Sequence, residues 1–125
     1  MKIAFASSDG KTIDQHFGWS KIFYLFEIDR DNFNLVKLID SSQEIENEQE
    51  KLNYKIQTIE DADIMYCTQI GPTASKMVQS AGIHPVRVAN GEQIVDAISQ
   101  IHNMLKENTP MWLLRIFHKT KQKAE

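Results

Sequence analysis

Cysteine, long apolar runs and an excess of basic residues are scarce or missing in this sequence, and each shortage removes a class of function. Cys67 is the one cysteine in 125 residues. No intramolecular disulfide can form, and one chain cannot supply a four-cysteine zinc site or an all-cysteine iron–sulfur site. No apolar run approaches the ~18–20 residues that a membrane span needs. The first six residues are largely apolar, but Ser7, Ser8 and Asp9 end the stretch too early for a secretory signal. The expected location is the cytoplasm, where a lone thiol stays reduced. A net charge of -3, from 14 Lys+Arg against 17 Asp+Glu, gives no overall basic footprint for nucleic acid.

Short catalytic motifs are also missing. Gly10-Lys11-Thr12 looks like the end of a phosphate loop, but Phe5 stands where that loop needs its first glycine. Neither G-x-G-x-x-G nor G-x-S-x-G occurs, so the dinucleotide fingerprint and the hydrolase nucleophile elbow are absent. A two-metal nuclease needs carboxylates converging from its strands. The first apolar segment carries none, and the segment over residues 64–67 ends in Cys67. Asp9, Asp14, Asp61 and Asp63 are expected to serve turns and caps.

What remains is the composition of an ordinary globular domain, 42% hydrophobic and 25% charged. A chain of this length buries roughly two-thirds of its unfolded surface and needs no staple to fold. Residues 2–6 read as a buried strand, and 7–18 as a polar loop. Ile22–Ile28, rich in aromatic and β-branched residues, and residues 33–39, which alternate, flank Asp29-Arg30-Asp31-Asn32 and predict a hairpin. Residues 41–50 read as an acidic, solvated loop that leads into a helix bearing Leu52, Ile56 and Ile59. A strand over 64–67 follows, then a helix begun by Pro72 and stopped by Gly82. Residues 86–88 are the next strand. Asn90 is expected to cap the following helix, with Gln93 as its capping-box partner. Ile94, Ile98, Ile101 and Leu105 form that helix's apolar stripe. Residues 1–108 make one α/β domain with a parallel sheet that carries one antiparallel strand and helices on both faces. Residues 109–125 are expected to be a short helix and a basic tail with Arg115, Lys119, Lys121 and Lys123.

Two soft-metal ligands survive this sorting. His16 lies in the loop after the first strand, and Cys67 ends the strand over 64–67. If those two strands are central and parallel, both residues emerge at one carboxyl edge, where open α/β sheets bind ligands. Imidazole and thiolate suit iron or zinc. Two ligands cannot enclose a bare ion, but they can anchor a preassembled cluster that brings its own bridging atoms. The helix begun by Pro72 would add N–H groups that favour an anion. Lys11, Lys21 and Lys76 would add positive charge. The plainer reading stands beside this one: Cys67 as a small buried hydrophobe, His16 ordering its own loop, Phe17 and Trp19 as core plugs or as walls of a pocket. His84 reads as structural, and His102 and His118 as surface residues.

At this point the residues carry a likeness. Ala4-Phe5-Ala6-Ser7-Ser8-Asp9-Gly10, Asp14-Gln15-His16-Phe17-Gly18, Tyr66-Cys67, Gly71-Pro72 and Gly82-Ile83-His84-Pro85-Val86 resemble the dinitrogenase iron–molybdenum cofactor biosynthesis family over nearly the whole chain. The His16-Phe17-Gly18 loop is the most specific element. The Tyr66-Cys67 pair and the Pro110-Met111-Trp112-Leu113 segment favour a nitrogen-fixation branch over general members. The resemblance implies a ribonuclease H-like three-layer fold with a mixed five-stranded sheet. It also implies a carrier rather than an enzyme. Its cargo would be an iron–sulfur precursor of the nitrogenase cofactor, made by NifB and passed to the NifEN scaffold or to dinitrogenase. His16, Cys67, Phe17 and Lys11 are then the expected binding residues, with His16 and Cys67 as the metal ligands. The competing expectation is a protein-interaction module of the same machinery, docked through Trp112 without ligating a cluster.

Overall fold

The structure, a computed structural model, describes residues 1–124, with side chains through Lys119. The strands are β1 (Lys2–Ala6), β2 (Thr12–Ile13), β3 (Ile22–Ile28), β4 (Phe33–Asp40), β5 (Ile64–Cys67), β6 (His84–Arg87) and β7 (Glu92–Gln93). The helices are α1 (Glu48–Thr58), α2 (Pro72–Ser80), α3 (Ile94–Lys106) and α4 (Met111–Ala124), with a short 3-10 turn at Phe17–Trp19. Five strands form one sheet in the order β4-β3-β1-β5-β6. β5 pairs parallel with β1 and with β6, whereas β3 runs antiparallel to both β1 and β4. β3 is thus the one reversed strand in a mixed α/β sheet, and β1 and β5 sit side by side and parallel, the arrangement on which a shared edge for His16 and Cys67 depends.

Alternation along the central strands divides the core in two. Ile3 and Phe5 of β1, with Ile64 and Tyr66 of β5, face Ile94, Ala97, Ile98, Ile101 and Leu105 of α3. Ala4, Ala6, Met65 and Cys67 face Leu52 of α1 and Ala74 and Val78 of α2. Both faces of β5 are covered, which is why its four residues are apolar without a polar alternate. Among the described residues no helix is long and apolar enough to cross a membrane.

Local signals explain the ends of α2. Pro72 occupies its first turn, and Gly82 at φ +84° closes it. The Gly82 N–H donates to the Gln79 carbonyl at 2.9 Å and the Ile83 N–H to the Val78 carbonyl at 3.1 Å, a Schellman closure. Asp9 and Asp14 serve the loop after β1 as expected, whereas Asp61 and Asp63 bond to β4 and β1 rather than to a turn or cap. Asp9 accepts from the Lys11 and Thr12 N–H groups, Asp14 from the Ser8 N–H and Asp63 from the Lys2 N–H. Asp61 lies 3.7 Å from Lys37 in a surface ion pair.

Five expectations are corrected. Asn90 does not cap α3, which starts at Ile94 after Gln93 with no side-chain cap bond. Residues 92–93 are spent pairing with Thr12–Ile13 as a two-stranded ribbon, and the Lys11 carbonyl takes the Ile94 N–H at 2.8 Å. The polar loop over 7–18 therefore contains β2. In β4 the alternation breaks: Phe26 pairs with Leu35 and Leu25 with Lys37, so Val36 is a bulge, and Phe33, Leu35 and Leu38 are left half exposed. The acidic loop is shorter than expected. Asn47 caps α1 by accepting the Glu50 N–H at 3.0 Å, so Glu48 and Glu50 lie in its first turn. The tail is helical from Met111 to Ala124, and fully buried Leu113 completes the α3-side core with Trp112, Ile116 and Phe117 packed beside it. The side chains of Lys121 and Lys123 lie outside the described residues.

Candidate functional site

The chain leaves β1 at Ala6 and β5 at Cys67 on the same edge of the sheet, and the two loops that follow are stitched together. The Phe17 N–H donates to the Gln69 carbonyl at 2.9 Å, and the Thr68 N–H donates to the Gln15 carbonyl at 3.0 Å. These two bonds bracket His16 and set it beside the strand that ends in Cys67. Phe17, with no exposure, drives into the α1–α2 side of the core in the same cluster as Ala4, Ala6 and Cys67. The turn closes when the Trp19 and Ser20 N–H groups both donate to the His16 carbonyl, at 3.1 and 3.0 Å. The His16 ring is left half-buried and stacks on Trp19, with centroids 4.2 Å apart and planes 11° from parallel. Trp19 is 67% exposed and is therefore no core plug, whereas Phe17 is one.

Cys67 lies beneath this turn, fully buried. Burial pushes its thiol up to about 11, against a smaller downward pull from the Phe17 and Gln69 backbone N–H groups and Arg87. In this conformation it is a neutral core thiol. Lys11 lies in the turn that Asp9 organises, and its carbonyl accepts the Ile94 N–H at the start of α3. Gly10 serves that turn rather than a phosphate: its φ is +75°, and a Cβ there would sit 2.7 Å from the Tyr24 ring. Lys21 and Lys76 are exposed.

A cleft of about 550 Å³ opens beside the turn, lined by Phe17 and Gly18, by Asn47, Glu48, Gln49 and Leu52 of the α1 start, and by residues 71–74 of the α2 start. The helix starts differ electrically. Glu48 and Glu50 offset the positive end of α1, whereas α2 has no acid in its first turn and no side-chain cap, so it is the end that favours an anion. Gly18 and Gly71 both line the cleft, and a Cβ at either would meet open space. Among the described residues no three His, Cys, Asp or Glu side chains converge to hold a metal ion. A bare ion therefore has no cage here, whereas a preassembled cluster needs only an anchor.

Sequence reasoning missed the contribution of α1. Asn47, Glu48 and Gln49 wall the cleft, and Lys55 is 4% exposed with its ammonium donating to the Ser20 carbonyl at 2.6 Å and the Ser41 carbonyl at 3.0 Å. The available signal was position: Lys55 falls on the same helix face as Leu52, Ile56 and Ile59, where a solvated lysine does not belong.

Comparison with known proteins bears on this geometry. The family model described as dinitrogenase iron-molybdenum cofactor matches residues 1–104. The chain is 30% identical to protein NifX of Herbaspirillum seropedicae over 126 residues, covering 99% of this chain and 86% of that one. It is 29% identical to protein NifX of Azotobacter vinelandii, covering 97% and 77%, and 29% identical to protein NifY of Klebsiella pneumoniae, covering 90% and 48%. The crystal structure of PH0822 superposes with a TM-score of 0.65 at 24% identity, over 82% of this chain and 91% of that one, which speaks to the fold alone. With the model match spanning both loops of the stitched edge, the chain belongs to the dinitrogenase iron-molybdenum cofactor family.

Proposed function

We propose that the chain binds and carries an iron–sulfur precursor of the iron–molybdenum cofactor, the NifB product, and that it works as a carrier rather than an enzyme. The observation that carries this reading is the presentation of His16. The backbone on both sides of it is bonded to the segment after Cys67, Phe17 is sunk in the core, and the imidazole itself stays half-buried against the exposed Trp19, one residue before the cleft wall of Phe17 and Gly18. A rigid loop that leaves one soft ligand open suits a cargo that must be held and then released. The α2 start supplies uncapped N–H groups to an anionic cluster. His16 is the first ligand in this reading. Cys67 joins only when the Phe17 turn lifts, because a neutral buried thiol is not a ligand. Phe17 walls the cleft, and Lys11 contributes charge at longer range.

The donor is then NifB, and the acceptor the NifEN scaffold or dinitrogenase, in the cytoplasm. We assign the fold to the ribonuclease H-like three-layer class, on the strength of the strand order and the reversed β3. The second reading is an interaction module docked through Trp112, which is half-buried and stacks on His84 at 4.2 Å within this chain. Anaerobic mixing with the NifB product, gel filtration and iron analysis test the proposal. Iron should co-elute with the protein at cluster stoichiometry, and His16→Ala should lose it. Full loading of folded His16→Ala would overturn the ligand role, and iron eluting apart from wild-type protein would overturn the carrier role.

A further inference from the structure

We infer that Lys55 is a positioning residue, a buried brace that fixes the His16 turn against α1 and so sets the cleft; this rests on the reading that the turn is the cargo site. Lys55 sits in the α1 segment next to the cleft wall formed by Asn47, Glu48, Gln49 and Leu52. Its ammonium reaches the end of the His16 turn and donates to the Ser20 carbonyl at 2.6 Å. The Ser20 N–H in turn donates to the His16 carbonyl at 3.0 Å. One chain of hydrogen bonds thus runs from α1 to the peptide of His16. A second bond, to the Ser41 carbonyl at 3.0 Å, fixes the ammonium to the end of β4, and the Ser41 N–H donates to the Lys21 carbonyl at 2.8 Å beside the start of β3.

The cost of this arrangement argues that it does something. A buried ammonium without a carboxylate is unfavourable, and the fold could cover the same place with an aliphatic side chain. An apolar residue could pack there but could not reach two carbonyls at the base of the turn. Charge-assisted bonds to carbonyls are directional, so they hold the turn at one setting where packing alone permits several. The turn needs such a hold. Trp19, its outer residue, is mostly exposed, and Phe17 is the residue of the turn that enters the core.

The test uses the protein free of cluster first. Lys55→Met keeps the stem and removes the donors. Amide exchange is followed at Trp19 and Ser20, with Met65 and Tyr66 of β5 as references, together with the upfield ring-current shift of the His16 ring protons. The brace predicts at least tenfold faster exchange at Trp19 and Ser20 relative to β5, a collapsed His16 shift, and recovery of both in Lys55→Arg. Equal acceleration everywhere, or an unchanged His16 shift, would overturn it. If Lys55→Met does not fold, Lys55→Gln is judged by the same ratio. Loading with the NifB product then separates the two claims. Faster cluster loss from a variant with a disordered turn supports the brace as part of the site. Retention at the wild-type rate overturns that part. A wild-type protein that takes up no cluster overturns the carrier reading and leaves the exchange result standing.

Discussion

Cys67 should resist thiol reagents in the folded protein, by an amount the structure sets. Burial carries the thiol from its usual 9.0 up to about 11. At pH 8 that change lowers the thiolate fraction about a hundredfold, since each unit is a factor of about ten. Coverage adds to this, because Cys67 has no exposed surface and lies under Phe17, so a reagent must wait for the turn to open. The assay is labelling by an aromatic disulfide reagent at pH 8, native against unfolded chain, followed by absorbance. Native labelling should be slower by at least ~100-fold. The second arm is Phe17→Ala, which removes the cover and should recover much of the lost rate in protein that remains folded by circular dichroism. Native labelling within tenfold of the unfolded rate would refute the placement of Cys67 as a core thiol. It would also remove the reason for ranking His16 first among the ligands.

Gly18→Ala should separate fold from function. A Cβ there meets open space and φ is not in the left-handed region, so the loss of unfolded-state freedom should stabilise the protein by about 0.4–1 kcal/mol. The same methyl enters the cleft and should weaken cluster retention; a thermal melt and iron analysis read the two effects, and destabilisation would contradict the open space. Lys55 predicts a pH dependence. Burial, with a smaller push from Lys51, lowers its ammonium from 10.5 to about 8. Between those values the unfolded chain holds the proton that the folded chain has lost, so stability rises with pH, by at most ~1.4 kcal/mol per unit. Urea midpoints of wild type minus Lys55→Met should therefore increase from pH 8 to pH 10. A constant difference would refute the shift.

The parts of the fold that local chemistry dictates were legible in the sequence. Ile22–Ile28 carries its own strand propensity, Pro72 and Gly82 punctuate α2, and the Ile94, Ile98, Ile101, Leu105 stripe declares α3. The placement of His16 and Cys67 at one edge was conditional on a central, parallel β1 and β5, which the strand order supplies. What was illegible depends on partners far along the chain. Thr12–Ile13 is a strand only because Glu92–Gln93 lies against it, and that pairing displaced the cap expected at Asn90. The Val36 bulge is a property of the β3–β4 register, not of β4's composition. Residues 110–117 gave an apolar signal, but only the α3 face of the core shows what Leu113 and Trp112 are for. Lys55 was hidden because lysine is read as surface by default.

Under the carrier reading, the site joins two properties that usually oppose each other, a stiff frame and an open ligand. Stiffness comes from three directions: Phe17 in the core, backbone bonds to Thr68 and Gln69, and the Lys55 ammonium on Ser20. Openness comes from His16 itself, whose ring leans on an exposed Trp19 rather than on the core. A closed four-ligand cage would bind more tightly and release slowly, since affinity differences fall mainly on the dissociation rate. A stiff loop with one ligand has already lost its own entropy, so binding does not have to order it, and each contact counts more fully. Under the carrier reading, this combination lets a weakly ligated cluster be held long enough to travel without being trapped. The buried thiol fits the same logic. In that reading Cys67, kept neutral beneath Phe17, adds nothing to the resting affinity, and it would become a second ligand only on release of the turn that Lys55 is proposed to brace.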